Sequence, residues 1–560
     1  AQSDTFEDGR FGFRVKFPKK WEPIPIQTGE GWLVAKYLSD KTYFFTSDGW
    51  AYEFKPEMLV VAFLSDELVK RAEKAARERA EQEREKEAEE GGDDEEGGDE
   101  GGDEGGGGGE GGEEGDEPEL PDEVLIDFGR RYKDYKDYLA STYQGGGYYF
   151  TVEEPGEHEG LRVTRYEVKV EKNASSGPKR IATWVYHLPD VDIAVQFEVL
   201  EDSYDKLART LQRSFESLRV VPRTASLPTE QASANSTIRI SIGDLEKLTP
   251  EERRKKRQLS EAQEHAKALA NLTEGWRSER MGQFLVLSHA DPKYDRRVAE
   301  QAGAVFEFLA DTFPYVGAEE YVRAPILRIC KDLAEEQSFR GGQWWTFNNL
   351  EITTNKEGGG TRSFEFRWMN QMLVNHWFYE RDFELWSGMP EWLQNGIVQL
   401  VSESTNKGGK LDFYRDDFTR ETLRELVRDG RSTPARDLMH MTSEDFFGAG
   451  GESAFDRAKE AQALVAHLLV GGGAKGRTKD LVHDYMQHLM AVVGEQSKQG
   501  LTGVEEAPET EAEEEALLRR RKDAWRNRER ALIDEVSRRA FGDWTEQDWD
   551  KLDKEFQRAL

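Results

Sequence analysis

Residues 91–117 contain nothing but glycine, aspartate and glutamate, and this fixes where a folded core cannot be. The tract has no apolar side chain to bury and so nothing to offset the entropy lost on ordering, and it is expected to be disordered. Residues 66–90 lead into it. They are dense in Glu, Lys, Arg and Ala and carry almost no apolar stripe, which predicts a solvated helix braced by i,i+4 ion pairs. The tract lacks the ordered ligand spacing of a calcium-binding loop. It is read as a tether or a diffuse attractor of cations.

On either side of this stretch there is enough material for cores. The chain has 560 residues, 37% hydrophobic and 33% charged, which predicts two to four domains. Its 77 basic and 110 acidic residues give a net charge of −33. That repels nucleic acid and anionic membrane surfaces, so neither is expected as a partner. Cys330 is the sole cysteine. It excludes an intrachain disulfide and a cysteine metal cluster, and within Ala324–Cys330 it reads as a small buried hydrophobe. No apolar run is long enough to cross a membrane as a helix. The opening Ala1-Gln2-Ser3-Asp4 has the look of a mature end left by signal-peptide removal, so a secreted or periplasmic, bacterial protein is expected.

The first part of the chain alternates. Phe11, Phe13, Val15 and Phe17 fall on one face at period two, Pro18 ends the run and Trp21 follows, which predicts a half-buried strand. Trp32–Tyr37 and Met58–Phe63 predict further strands. Beyond the acidic tract, a helix is predicted over Glu123–Tyr143. Strands are predicted at Tyr148–Val152, Leu161–Val170, Arg180–His187 and Asp192–Leu200, and an amphipathic helix at Asp202–Leu218 with Leu207, Leu211, Phe215 and Leu218 on its stripe. Together these predict an α/β sandwich over 1–220.

Two stretches carry a family resemblance. They are Phe11-Gly12-Phe13-Arg14-Val15-Lys16-Phe17-Pro18-Lys19-Lys20-Trp21, and Ala194-Val195-Gln196-Phe197-Glu198 before a helix ending Ser214-Phe215-Glu216-Ser217-Leu218. This pattern resembles the PsbP-like family, whose domains are binding or assembly modules. The resemblance implies that residues 66–122 are an insertion into this domain, and it implies no catalytic residues here.

Residues 221–273 read as a linker with a short strand, Thr237–Ile242, and a helix. Thr249-Pro250-Glu251-Glu252 starts that helix with a hydroxyl cap, a proline in the first turn and acids at the positive end of the dipole. Residues 274–560 are predicted to be mostly helical with a small sheet: strands at Gln283–Ser288, Ala324–Lys331 and Leu350–Thr354, and helices at Asp295–Phe313, Ser363–Tyr379, Pro390–Ser402, Thr419–Asp429, Phe455–Val470, Thr478–Val493, Glu511–Ala540 and Thr545–Leu560. The fold class is thus α+β and multidomain.

In this second half the order strand, helix, strand, edge strand, helix precedes Gly388-Met389-Pro390-Glu391-Trp392-Leu393-Gln394-Asn395-Gly396-Ile397, and Ala540-Phe541-Gly542-Asp543-Trp544 lies near the end. It resembles the peptidase MA-like domain of gluzincin zinc peptidases. In that family two histidines four apart on one helix hold zinc and the glutamate between them polarises water. A glutamate on the later helix is the third ligand, and an open fourth position serves hydrolysis. The corresponding positions here are Met372, Leu373, His376 and Asn395. Methionine is a poor zinc ligand, leucine is no base and a neutral amide is a weak substitute for carboxylate. The resemblance therefore implies a dismantled site, with no catalytic residue, no metal and no cofactor.

Other candidates are weaker. His483 and His488 are five apart and share no helical face well, with Asp484 beside the first. His467 and His440 read as packing residues. Glu380, Asp382 and Glu384 could flank a cleft but read better as solvated. Trp344, Trp345, Phe347, Phe364, Phe366, Trp368, Trp377, Phe378 and Trp386 read as core, or as a peptide- or glycan-binding cluster. The expectation is a non-catalytic pseudopeptidase that binds protein, peptide or glycan. The alternative is a hydrolase with a rebuilt site drawn from His376, Glu380 and Glu391.

Overall fold

The computed structural model describes residues 4–27, 30, 33–47, 50–65, 67, 70, 74, 132–143, 147–171, 177–225, 245, 248–339, 350–356, 365–413, 417–448, 452–470, 474–498 and 511–559. The acidic tract, most of the expected 66–90 helix and the expected strand Thr237–Ile242 lie outside them. The chain is α+β and forms two compact units, residues 1–277 with 334–351, and 278–333 with 352–560.

Among its described residues the first unit has twelve strands: β1 Thr5–Asp8, β2 Phe13–Lys16, β3 Glu22–Pro23, β4 Leu33–Leu38, β5 Tyr43–Ser47, β6 Trp50–Phe54, β7 Glu57–Leu64, β8 Tyr148–His158, β9 Leu161–Val170, β10 Lys179–His187, β11 Val191–Leu200 and β12 Arg219–Val220. Its helices are α1 Tyr135–Thr142, α2 Tyr204–Phe215 and α3 Pro250–Ala270, so the helix expected within a linker falls in this unit. Seven strands form one sheet in the order β3-β4-β7-β11-β10-β9-β8. Side chains alternate across it. Met58, Val60 and Ala62 of β7 and Ile193, Val195 and Phe197 of β11 enter one core, joined by Leu211 and Phe215 of α2 and by Phe13 and Val15 of β2. Leu59, Val61 and Phe63 enter a second core, on which Tyr135, Tyr138 and Leu139 of α1 pack. Both faces are therefore covered, which is why β7 and β11 read as nearly continuous apolar runs.

Several local expectations shift. The helix expected from Glu123 has its described start at Tyr135, because the Asp134 side chain caps the Asp137 amide at 2.9 Å; residues 123–131 lie outside the described set. β8 runs on to His158, through Glu153-Glu154-Pro155-Gly156. It is an edge strand, and an edge tolerates proline because no ladder hydrogen bond is lost on the open side. The β5–β6 hairpin, with Phe45 stacked on Tyr52 at 5.3 Å, was not expected. β2 starts at Phe13, not Phe11, because Gly12 turns with φ +69 and a Cβ there would meet the Val221 carbonyl oxygen at 2.7 Å.

The α1-covered face also carries charge. Glu57 of β7 lies directly opposite Glu198 of β11. Glu198 is met by Lys179 and by the Tyr143 hydroxyl, and Lys36 on β4 lies 3.6 Å from Glu30. Burial pushes the Glu57 carboxyl up to about 7, with Lys36 and Lys179 opposing the rise and Glu198 and Glu30 adding to it. The folded state thus holds this proton more tightly than the unfolded chain. The associated stability is present at low pH and is lost as pH rises from the ordinary glutamate range through neutrality. Glu57→Gln is expected to flatten thermal stability against pH over roughly pH 5–8 and to exceed the parent at the alkaline end, read by thermal melts across that range.

The second unit opens on a four-stranded sheet in the order β13 Arg277–Met281, β14 Phe284–Ser288, β15 Ile326–Cys330, β16 Glu351–Asn355. β14 and β15 are parallel, Leu285 facing Ile326, and α4 Pro292–Thr312 crosses between them. Asp291 caps α4 and Pro292 starts it, which is why it begins three residues before the expected Asp295. Cys330 is fully buried. Short α5 Leu333–Phe339 follows β15 in sequence and from Ala334 on belongs to the first unit; then, in the second unit, come α6 Arg367–Arg381, α7 Phe383–Ser387, α8 Glu391–Ser402, the unexpected hairpin β17 Ser404–Lys407 and β18 Lys410–Phe413, α9 Asp417–Arg428, α10 Ala435–Met439, α11 Ser443–Phe447, α12 Glu452–Leu469, α13 Leu481–Lys498, α14 Glu511–Phe541 and α15 Glu546–Ala559. Gly396 lets α8 lie against α12: a Cβ there would stand 2.4 Å from Val465 Cγ2 and 2.8 Å from the Ala461 carbonyl oxygen.

Candidate functional site

α6 is apolar on most of its circumference. Met369, Met372, Leu373, Val374, Trp377 and Phe378 are buried, and so are the polar Asn370, His376 and Glu380. A helix can place polar groups there when each finds a partner. Asn370 donates to the carbonyls of Val401 and Ser404 at 3.1 and 3.2 Å and accepts from Gln301 of α4 at 3.2 Å.

His376 and Glu380 stand one turn apart on one face, and both bind Arg323, just ahead of β15. The Glu380 carboxylate accepts from Arg323 Nη2 at 2.7 Å, from Nε at 3.0 and 3.1 Å, and from the Arg323 backbone N–H at 3.0 Å. His376 Nε2 lies 2.6 Å from the Arg323 carbonyl oxygen. Arg323 is 1% exposed, and His376 and Glu380 are 0% exposed. A carbonyl only accepts, so Nε2 carries the proton and has no lone pair there for a metal. The imidazole also stacks on Phe306 of α4, centroids 6.2 Å apart at 9°. Glu380, expected as a solvated loop acid, is instead a fully buried ion-pair partner at the end of a helix.

The other expected positions are placed as follows. Met372 and Leu373 are buried apolar side chains. Asn395, on α8, donates to Glu391 Oε2 at 3.0 Å. Glu391 Oε1 lies 3.0 Å from Ser443 Oγ, which is also 2.7 Å from Glu529 Oε1. A serine hydroxyl has one proton to give, so these contacts are met together when one carboxyl holds a proton. Burial pushes the Glu391 carboxyl up, while Asn395 and Ser443 oppose the rise. The structure therefore joins His376 to Glu380 through Arg323, and Asn395 to Glu391, in two separate hydrogen-bond groups. Among the described residues no three His, Cys, Asp or Glu side chains are grouped to hold a metal ion.

Asp382 caps α7 through the Leu385 amide at 2.9 Å, and burial raises its carboxyl. Glu384 is half-buried. His483 meets the Tyr315 hydroxyl at 3.1 Å, and His488 is half-buried beside exposed Asp484's helix face. His467 is buried with Nε2 4.0 Å from Glu555. His440 bonds the Arg436 carbonyl at 2.7 Å and lies against Phe541 and Trp549. Of the aromatic group, Phe366, Trp377, Phe378 and Trp386 are core, with Phe378 stacked on Trp386 at 4.5 Å. Trp368 is half-buried. Trp344, Trp345, Phe347 and Phe364 lie outside the described residues.

No family model matches the chain, and no curated protein matches it. Among solved structures it is similar to the solution structure of cyanobacterial PsbP (CyanoP) from Synechocystis sp. PCC 6803, at 11% identity and a TM-score of 0.22, over 39% of this chain and 91% of that one. At that score the likeness carries no weight for fold or activity; the architecture rests on the strand registers above.

Arg323 was not foreseen. A lone arginine before Ala324-Pro325 has no pattern. The available signal was on the other side: two polar residues four apart on an otherwise apolar helix face, which together require a buried partner. Glu380→Leu removes the carboxylate from a buried guanidinium and is expected to cost about 3–5 kcal/mol, whereas Arg323→Met combined with Glu380→Leu recovers most of it. Urea unfolding of the three proteins checks this.

Proposed function

We propose that the chain is an extracytoplasmic binding or scaffold protein, in which a PsbP-like module is joined to a gluzincin-like module that has lost peptidase chemistry. The observation that carries this reading is the bonding of His376. The imidazole that would survive from a zinc site gives its Nε2 proton to the Arg323 carbonyl. The glutamate one turn on is committed to the Arg323 guanidinium. A working site needs three ligands and an open water position. Methionine, leucine and an amide bonded to Glu391 supply neither ligand set nor base. Protein, peptide or glycan is the proposed ligand class, in keeping with the net charge of −33, which disfavours nucleic acid. No helix among the described residues is long and apolar enough to cross a membrane.

The alternative, a hydrolase with a rebuilt site, has to do without His376 and Glu380 as free groups. It keeps support from Glu391 and Glu529, whose carboxyl oxygens both meet the Ser443 hydroxyl, and from the burial that pushes the Glu391 carboxyl up, as paired carboxyls in acid–base hydrolysis require of the acid.

The full chain, loaded with zinc and then washed, is expected to hold far less than one zinc per molecule and to cleave no member of a broad peptide library. Its binding to peptide or glycan arrays is expected to be the same before and after chelation. Near-stoichiometric zinc that is lost in His376→Ala, or cleavage that chelator abolishes, contradicts the proposal. Chelator-resistant hydrolysis lost in Glu391→Gln favours the alternative.

A further inference from the structure

On the α1-covered face of the first unit, at one end of the large sheet, three side chains from three adjacent strands make a hydrogen-bonded relay. His187 ends β10 and Asp192 is the second residue of β11. They are register partners across the tight connection Leu188–Asp190, and Leu188 N–H donates to the Val191 carbonyl to close it. Thr164 on β9 faces Val185, two residues along β10 from His187, so all three side chains share one face. His187 Nδ1 is 2.9 Å from Asp192 Oδ1, and His187 Nε2 is 2.8 Å from Thr164 Oγ1.

The chemistry of the atoms gives the relay a direction. An ionised carboxylate only accepts, so Nδ1 carries a proton. The neutral imidazole then has its lone pair on Nε2, and the Thr164 hydroxyl must be the donor to it. A hydroxyl that donates to an imidazole, itself oriented by a carboxylate, is an activated nucleophile by geometry and roles. The group is also reachable: the His187 side chain is 20% and the Asp192 side chain 36% exposed, and Thr164 is half-buried. Arg162, two residues before Thr164 on the same strand face, is exposed.

We propose that Thr164, His187 and Asp192 form an acyl-transfer site that accepts acyl groups from activated esters. Thr164 Oγ1 adds to the ester carbonyl carbon while its proton passes to His187 Nε2, and Asp192 stabilises the imidazolium. The bond from the carbonyl carbon to the leaving oxygen breaks, and the departing alcohol takes the proton from Nε2. Acyl-threonine remains. Water then attacks it by the same route, releasing a carboxylic acid and restoring the hydroxyl. The site lies in the first unit and asks nothing of His376 or Glu391, so it stands or falls apart from the proposed function.

The test uses the full chain with p-nitrophenyl acetate, reading nitrophenolate release and peptide mass maps of quenched protein. Expected are a burst followed by slow turnover and an acetyl group on Thr164. Thr164→Ser keeps the reaction, Thr164→Val abolishes labelling, and His187→Gln and Asp192→Asn each slow it by about a hundredfold or more. Thermal melts show which variants remain folded; should Thr164→Val melt early, Asp192→Asn decides by its rate. Acetyl groups on lysines or on His187 with none on Thr164, or a rate unchanged in Thr164→Val or Asp192→Asn, overturns the proposal.

Discussion

A guanidinium taken out of water must be met by a carboxylate of matching geometry, or the loss of its hydration is not recovered. In the second unit that requirement fixes how α6 lies beside the segment leading into β15. Glu380 takes the Arg323 head group and its backbone amide; His376 takes the carbonyl of the same residue. One residue is thereby held by side chain and main chain from one face of one helix. The apolar neighbours of His376 and Glu380 on α6 pack around this clasp, as Phe378 does on Trp386 and Phe313. The clasp also decides the chemistry, since a ring nitrogen that must donate to a carbonyl cannot also coordinate a cation through that atom.

The first unit solves a related problem on a sheet. One face is closed by an apolar layer under α2. The other, under α1, mixes tyrosine rings with charged and polar side chains. There Tyr135 gives its hydroxyl to Gln196 Oε1 at 2.9 Å and meets Thr183, and Glu198, which lies opposite Glu57, is met by Lys179. At one end of this face Thr164, His187 and Asp192 are partly open to solvent.

Much of the architecture is legible in the sequence wherever a residue's neighbours follow from period alone. The alternation through Phe11–Phe17, the apolar runs at Met58–Phe63 and Asp192–Leu200, the capped start of α3 at Thr249 and the Pro390–Gly396 signature all lead to elements that the chain forms. What escaped was set by partners distant in sequence. Arg323 and Glu380 are 57 residues apart, and nothing local to Arg323 announces its burial. β8 passes through Pro155-Gly156, which reads as a break until its place at the sheet edge is known. The His187–Asp192 pair could have been found from the short turn at Pro189-Asp190, but Thr164 joins them only through the β9–β10 register. What Met372, Leu373, His376 and Asn395 touch shows only in the three-dimensional packing.

One proton, on His376 Nε2, therefore decides what this helix can bind. In full chain carrying 15N-labelled histidine, long-range proton–nitrogen correlation spectra of His376, assigned with His376→Gln, report which ring nitrogen is protonated. A protonated Nε2 is expected, with signals that do not change when excess zinc is added. An unprotonated Nε2, or loss of that proton with a coordination shift on zinc addition, would contradict it.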